Sequence, residues 1–467
     1  NGDGTFTDVT DTSGLGDGGF SQGASVGDFD NDGWPDLYVA NIGCNRLYHN
    51  NGDGTFEDLT AGIPFPKTGW TTSCLVADID GDGHVDLYDV NYLKGARLFS
   101  TICESNGVKM ACHPHEFTAA SDRWWKGDGS GGFVDATRTG GFAVPRGKGL
   151  GIVVGGFSRP DQIEVFVAND SVPNFLFTRV GSPGGSGKAL FEQRAMVRGL
   201  AVNRDGRSQA CMGVAAGDAD GDGRLDLFVT NYFEESNVLY RQVGELVFID
   251  ETRRAGLREP GWRKLGFGTQ FLDADLDGET DLVVANGHVD DLTKLNQPYR
   301  MSPQCFRNSG GGRFVDLAPD GLGKYFQREL LGRGLARVDF NRDGRDDFVV
   351  THLEQPVALL ANRTVGTGNG VVVRLVATAT SRDAIGSRVT VTDGDWQRVH
   401  HLTAGDGYMA SNQRQLIIGL GNRQQVATLR VDWPSGVSTV LQNVEAGGEL
   451  VIVEGRTGMI RLPGPNR

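Results

Sequence analysis

Long apolar runs are missing. No stretch of the 467 residues approaches the roughly 18 consecutive apolar side chains of a membrane-spanning helix. Basic charge is also scarce, with 45 Lys and Arg against 59 Asp and Glu, a formal net charge of −14. Nucleic acid, which needs clustered Lys and Arg, is therefore not an expected partner. No Walker A sequence occurs, so phosphate-dependent chemistry has no motif here. Histidine is sparse, eight in all, and no His-x-x-x-His pair is available to start a zinc site. No catalytic residue is assigned.

Glycine is abundant. At 69 of 467 residues it is about twice its average usage, and short apolar runs such as Asp36-Leu-Tyr-Val-Ala40 recur between glycine clusters. That pattern predicts a turn-rich, all-β globular chain and excludes collagen and disorder. One block recurs, clearest at Ser25-Val-Gly-Asp-Phe-Asp-Asn-Asp-Gly-Trp-Pro-Asp-Leu-Tyr-Val-Ala-Asn41. Further copies have loops starting at Asp78, Asp218, Asp273 and Asp339, and a weaker copy runs from Gly155 to Asn169. The spacing is too irregular for a solenoid.

Each block reads as a strand, an Asp loop, a second strand, a third such as Arg46-Leu-Tyr-His49, an Asn-Gly-Asp-Gly turn and a fourth strand. Four antiparallel strands repeated six times predict a β-propeller. Six blades are found, and a seventh would require an unrecognised stretch. The opening Asn1-Gly-Asp-Gly-Thr-Phe-Thr-Asp-Val-Thr10 matches a turn and fourth strand alone. Residues 5–10 are therefore expected to complete the last blade and close the ring. The propeller is placed at 1–365 with an insertion at 95–122. Alternating strands from 369 to 458 predict a small C-terminal β domain, and 459–467 a tail.

The first loop sets carboxylates at positions 1, 3, 5 and 9 (Asp28, Asp30, Asp32, Asp36), with Gly33 at position 6 for a sharp bend. Clustered hard oxygens on a tight turn suit Ca²⁺, and the Trp34 carbonyl at position 7 would add a ligand. The set recurs as Asp78, Asp80, Asp82 and Asp86 with His84; Asp218, Asp220, Asp222 and Asp226 with Arg224; Asp273, Asp275, Asp277 and Asp281 with Glu279; and Asp339, Asn341, Asp343 and Asp347 with Arg345. One such loop alone reads equally as an Asx-turn hairpin. Five in register, with nineteen carboxylates, favour about five bound Ca²⁺. The weak block has Gly156, Ser158 and Pro160 at its first ligand positions, and no metal is expected there.

These Asp-x-Asp-x-Asp-Gly-x-x-Asp blocks resemble FG-GAP/VCBS repeats. Residues 383–454, with Gly405-Asp-Gly-Tyr408 and Val431-Asp-Trp-Pro-Ser-Gly436, resemble the ASPIC/UnbV domain. The pairing is similar to the cartilage acidic protein family and its bacterial relatives. That resemblance implies a secreted, periplasmic or cell-surface Ca²⁺-binding propeller acting in extracellular recognition or adhesion, with a protein or glycan ligand. No EGF-like module follows here, unlike the animal proteins. Asn1 starts inside a repeat, as it would in a mature or trimmed chain.

Thirteen residues after each loop start stand Asn41, Asn91, Asn169, Asn231, Asn286 and His352. They are expected on the face opposite the Asp loops, around the channel, where the plainer reading is a side chain capping a turn. Asp170, Glu234, Glu235, His288, Asp290, Asp291, His352 and Glu354 then form an acidic rim as the candidate ligand site. An alternative is an enzyme or redox protein with a second metal, at His288 and His352 or in the insertion. There Cys103 and Cys112 would close a disulfide in an oxidising compartment, or Cys112-His-Pro-His115 would hold a soft metal.

Overall fold

The computed structural model describes residue 1, residues 4–181 and residues 190–462. Six antiparallel sheets follow one another along the chain, and their inner strands are Phe20–Gly27, Thr71–Ala77, Gly149–Arg159, Val214–Gly217, Gly266–Leu272 and Gly332–Val338. Each inner strand packs beside the next, which makes the sheets blades 1 to 6 of a β-propeller. The side chains between blades come from the period-2 pattern of the strands. Between blades 1 and 2, for example, Tyr38, Leu47, Val76, Leu87 and Trp125 share one buried cluster. Trp124 and Trp125 lie at the register positions of Leu47 and Tyr48, both inside.

The ends of the ring differ from expectation. Blade 6 has three strands, Gly332–Val338, Asp347–His352 and Ala358–Leu360, and residues 5–9 form no strand against it. Phe6 is the one large apolar side chain of residues 4–8 and remains 74% exposed, so this segment buries too little to hold an edge by itself. Residues 411–414 join the first and last blades instead. Val26 N–H donates to Ser411 Oγ on one side, and Arg337 exchanges backbone and side-chain hydrogen bonds with Asn412 and Gln413 on the other.

The chain from Asn369 forms two further four-stranded sheets, one of which pairs Asn369–Val376 in parallel with Glu449–Val453. The stretch expected as a tail adds a strand, Ile460–Leu462, to this sheet, and 463–467 lie outside the described residues. The sheets rest on the Asp-loop face, and one buried cluster runs from Val389, Leu429 and Trp433 into Leu75, Val154 and Val165 of blades 2 and 3. From them, residues 402–414 enter the channel. Ala404 bridges Val154, Gly407 bridges Val214, and Asn412 Nδ2 donates to Gln270 Oε1. Arg414 donates to the Val26 carbonyl at 2.7 Å and the Val76 carbonyl at 3.5 Å. This plug thus touches all six inner strands.

Candidate metal loops and channel rim

The five Asp loops share one hydrogen-bond scheme. The position 1 carboxylate accepts from the position 6 glycine N–H (Asp28 from Gly33, Asp78 from Gly83, Asp218 from Gly223, Asp273 from Gly278, Asp339 from Gly344) at 2.8–2.9 Å. The position 5 carboxylate accepts from the N–H of Trp34, His84, Arg224, Glu279 or Arg345. The position 9 Asp ties the loop to the third strand, accepting from Asn50, Gly127, Gln242, Asn308 or Asn362 N–H. In blade 3, which lacks the loop, Glu164 makes a comparable staple to Phe157 N–H and Ser158 Oγ. Position 4 carries a second left-handed residue that the sequence did not disclose, non-glycine in Asn31, Leu276 and Arg342.

Carboxylate oxygens converge in four of the loops. Asp28, Asp30 and Asp32; Asp78, Asp80 and Asp86; Asp218, Asp220 and Asp226; and Asp273, Asp275 and Asp277 each offer ligand atoms within 4.8 Å of one another. Burial pushes the carboxyls of Asp28, Asp78, Asp218 and Asp339 up to about 6, so ionising them without a counter-charge is costly. Asp28 Oδ1, Asp80 Oδ1, Asp275 Oδ1 and Asp347 Oδ2 are buried with no hydrogen-bond partner. An all-oxygen set with orphaned buried oxygens fits a hard divalent cation.

The sequence reading missed the basic partners. The third-strand residue after the inward aromatic is His49, Lys126, Arg241 or Arg307 in blades with a full Asp set, and Thr178 in blade 3. Lys126 reaches Asp82 at 2.5 Å as well as Asp80, Arg241 pairs with Asp220, and Arg307 lies 3.3 Å from Asp275. His49 Nδ1 stands 3.2 Å from Asp36. This alternation of sign was readable as a repeat position. The C-terminal sheets also touch the loops, through Arg382 beside Asp28, Arg398 on Glu279, and His401 Nε2 near the Gly223 carbonyl. Leu276 packs with Val372 and Ile417, which accounts for a leucine in a left-handed position.

At the other face, Asn41, Asn91, Asn169, Asn231 and Asn286 each donate Nδ2 to a carbonyl ahead of the third strand, at 2.9–3.0 Å. His352 Nδ1 likewise lies 2.9 Å from the Pro356 carbonyl. These six are turn caps. Of the rim residues, Asp170 accepts from Tyr92 Oη at 2.5 Å, Glu235 from Ala210 N–H, and Asp290 from Ala111 N–H. Asp170, Glu235 and Asp290 all lie close enough to Tyr232 to raise its phenol, after burial, to about 12. Glu234 adopts a left-handed turn, Asp291 caps Thr293 in an exposed turn, and Glu354 pairs with Arg300 at 2.8 Å. Three acids from blades 3 to 5 therefore gather, and Glu234, Asp291 and Glu354 do not.

His288 and His352 are not brought together. His288 is buried, its Nδ1 accepts from Asp290 N–H and its ring packs on Tyr232, while His352 faces Tyr325 Oη at 2.9 Å. The insertion forms a strap whose Cys103 and Cys112 are joined in a disulfide, leaving no thiolate there for a soft metal. His113 and His115 stack with ring centroids 4.7 Å apart. From blade 2 the strap reaches blade 3, where Lys148 Nζ donates to the Pro114 carbonyl, and blade 5 through Ala111 and Asp290. Cys44, Cys74, Cys211 and Cys305 are free.

Comparison with known proteins places these elements. The FG-GAP-like repeat model matches residues 1–39 and 28–88, and the ASPIC and UnbV model matches residues 377–458. Cartilage acidic protein 1 of Homo sapiens is 24% identical over 303 residues, 64% of this chain and 42% of that protein. The Mus musculus protein is 25% identical over 293 residues, 62% and 42%. The matched region thus spans less than half the length of these relatives. Among solved structures, an Agrocybe aegerita lectin recognising non-reducing terminal N-acetylglucosamine aligns at 16% identity with a TM-score of 0.39, covering 73% of this chain and 81% of that one. The BP39L lectin of Burkholderia pseudomallei aligns at 13% identity with a TM-score of 0.38, covering 92% and 98%. No helix among the described residues is long and apolar enough to cross a membrane. The chain carries FG-GAP-like repeats within residues 1–88 and an ASPIC and UnbV domain at residues 377–458, the two domains that cartilage acidic protein 1 also has.

Proposed function

We propose that the chain is an extracellular recognition scaffold whose Asp loops hold about five structural Ca²⁺. The observation that carries this reading is the set of buried, unpartnered carboxylate oxygens at Asp28, Asp80, Asp275 and Asp347 within all-oxygen loops. A divalent cation supplies the charge that these oxygens lack, and it would tie the first and second strands of each blade. Because the C-terminal sheets contact the loops of blades 1, 4 and 5, the cations act on the fold and on the docking of those sheets. Ligand recognition by a protein or glycan falls to the opposite face, where Asp170, Glu235 and Asp290 act on the half-buried Tyr232 through their charge. The Cys103–Cys112 disulfide supports a secreted, periplasmic or cell-surface setting, where such bonds persist. Plasma mass spectrometry of the purified chain tests the reading: about five Ca²⁺ per chain are expected, and a stoichiometric transition metal with no Ca²⁺ overturns it.

A further inference from the structure

Blade 2 departs from the repeat in three ways, and all three meet at one place. The second strand carries Asp89 at the register position filled by Val39, Val167, Val229, Val284 and Val350 in the other blades. Ahead of the third strand stands Asp122, where blades 1, 3 and 4 have Asn45, Asn174 and Asn237. The neck of the strap, Leu93–Lys94 paired with Thr118–Ala119, is inserted between those two strands. Asp89, Asp122, Leu93, Lys94, Ala120 and Ser121 line a single cavity of about 370 Å³ that opens between blades 1 and 2.

Both carboxylates are buried, Asp89 at 1% and Asp122 at 5% exposure. Asp89 is fixed by Tyr38 Oη at 2.5 Å and Trp125 Nε1 at 2.8 Å, and Asp122 by Tyr88 Oη and Asn91 N–H. The neutral Asn of blades 1, 3 and 4 accepts the same backbone N–H, at 2.9–3.0 Å. The fold therefore needs no acid at 122, and burying one has a cost that a neutral amide avoids. Burial pushes Asp122 up to about 7 and Asp89 up to about 6, so near neutral pH the Asp122 carboxyl both donates and accepts while Asp89 chiefly accepts. No aromatic ring lines the cavity; its other polar lining includes Asn45, Asn91, Thr68, Thr71, Thr137 and the Arg123–Asp135 ion pair, whose charges offset each other. At its edge Lys94 and Arg138 are exposed, and neither side chain has an ion-pair partner among the described residues.

We infer that this blade 2 cavity is a binding site for an acidic saccharide unit, whose hydroxyls meet Asp89, Asp122 and the neighbouring amides and whose acid group meets Lys94 and Arg138. A floor of carboxyl, amide and hydroxyl groups suits a polyhydroxylated ligand, and the volume falls within the usual range for small-molecule pockets. The two free cations select for an anionic group. The inference deepens the recognition reading, on which it rests for the expectation of a ligand, and it adds a saccharide site in blade 2 beside the acidic rim of blades 3 to 5.

The test is titration of the full metal-loaded chain with D-glucuronate and with D-glucose, followed by ligand-observed NMR and calorimetry. Glucuronate is expected to bind at least tenfold more tightly than glucose. Lys94→Ala with Arg138→Ala should abolish that difference, and Asp122→Asn, which restores the residue of blades 1, 3 and 4, should weaken both sugars tenfold or more with a melt that does not fall. Asp89→Asn serves as the second floor variant. Failure of both sugars to bind at millimolar concentration, or binding indifferent to Asp122→Asn and to the Lys94 and Arg138 changes, overturns the site. Ca²⁺ content and melting temperature are read on the same samples, so an intact, metal-loaded chain that binds no sugar counts against the cavity alone.

Discussion

Withdrawing divalent metal with a chelator at pH 7.5 exposes the charge problem that the Asp loops contain. Each loop keeps at least one carboxylate out of water, and Asp28 Oδ1, Asp80 Oδ1, Asp275 Oδ1 and Asp347 Oδ2 have no donor. A site held at a hundredfold excess over its dissociation constant contributes about 2.7 kcal/mol. The unfolding entropy of about 2.1 cal/mol/K per residue, over 467 residues, is about 1 kcal/mol/K. Each emptied loop then lowers the melting temperature by about 3 °C, and five together by about 14 °C. The basic groups over the loops divide this loss unevenly. Blade 2, where Lys126 bridges Asp80 and Asp82, should tolerate emptying better than blade 1, where among the described residues His49 and Arg382 are the ion-pair partners of Asp28, Asp30 and Asp36. The assay is differential scanning calorimetry with and without chelator, repeated on Asp28→Asn and Asp78→Asn. A melt that chelation leaves unchanged refutes the metal assignment, and a greater loss from emptying blade 2 than blade 1 refutes the compensation by Lys126.

Other consequences follow from the docking of the C-terminal sheets. Replacing Arg414 with Ala leaves the Val26 and Thr403 carbonyls without its guanidinium inside the channel and should cost about 3 kcal/mol, read as a melt about 3 °C lower; an unchanged melt argues that the plug is not held there. Leu276→Gly relieves a left-handed backbone but removes the contact with Val372 and Ile417, so calorimetry should show net destabilisation by about 1–3 kcal/mol. Burial lowers His400 to about 3 and His401 to about 4, with Arg398 and Arg337 acting on the first and Arg388 on the second. Both rings are neutral in the fold, so their contribution is complete above the unfolded value of 6.5. It is lost as pH falls from there toward 4, at about 1.4 kcal/mol per pH unit for each ring. Urea titrations of the wild type and His400→Phe between pH 7.5 and 5 check this: the carboxyls common to both cancel in the difference, which should change by about 1.4 kcal/mol per pH unit below 6.5. Cys103→Ser should open the strap to limited proteolysis within residues 95–122 while shifting the global melt by less than about 2 °C.

The blade count, the five loops and the six turn caps were legible in the sequence because each rests on bonds formed within one repeat. Asp28 and Gly33, or Asn41 and Cys44, are neighbours in the chain, so spacing alone carries the geometry. The basic residue over the loops of blades 1, 2, 4 and 5, as with Lys126 above Asp82, was equally readable as a repeat position, but it lies on the third strand, outside the Asp-x-Asp spacing that marks the loop. Other features depend on which distant segments pack together. Ala404 meets Val154, Ala111 meets Asp290, and residues 411–414, not residues 5–10, join the first and last blades. No local spacing encodes such pairs, since burial of the plug against six inner strands is decided only once the ring exists. The same holds for Asp89 and Asp122: the sequence sets two acids 33 residues apart, and blade 2 and its strap turn them into the floor of one cavity.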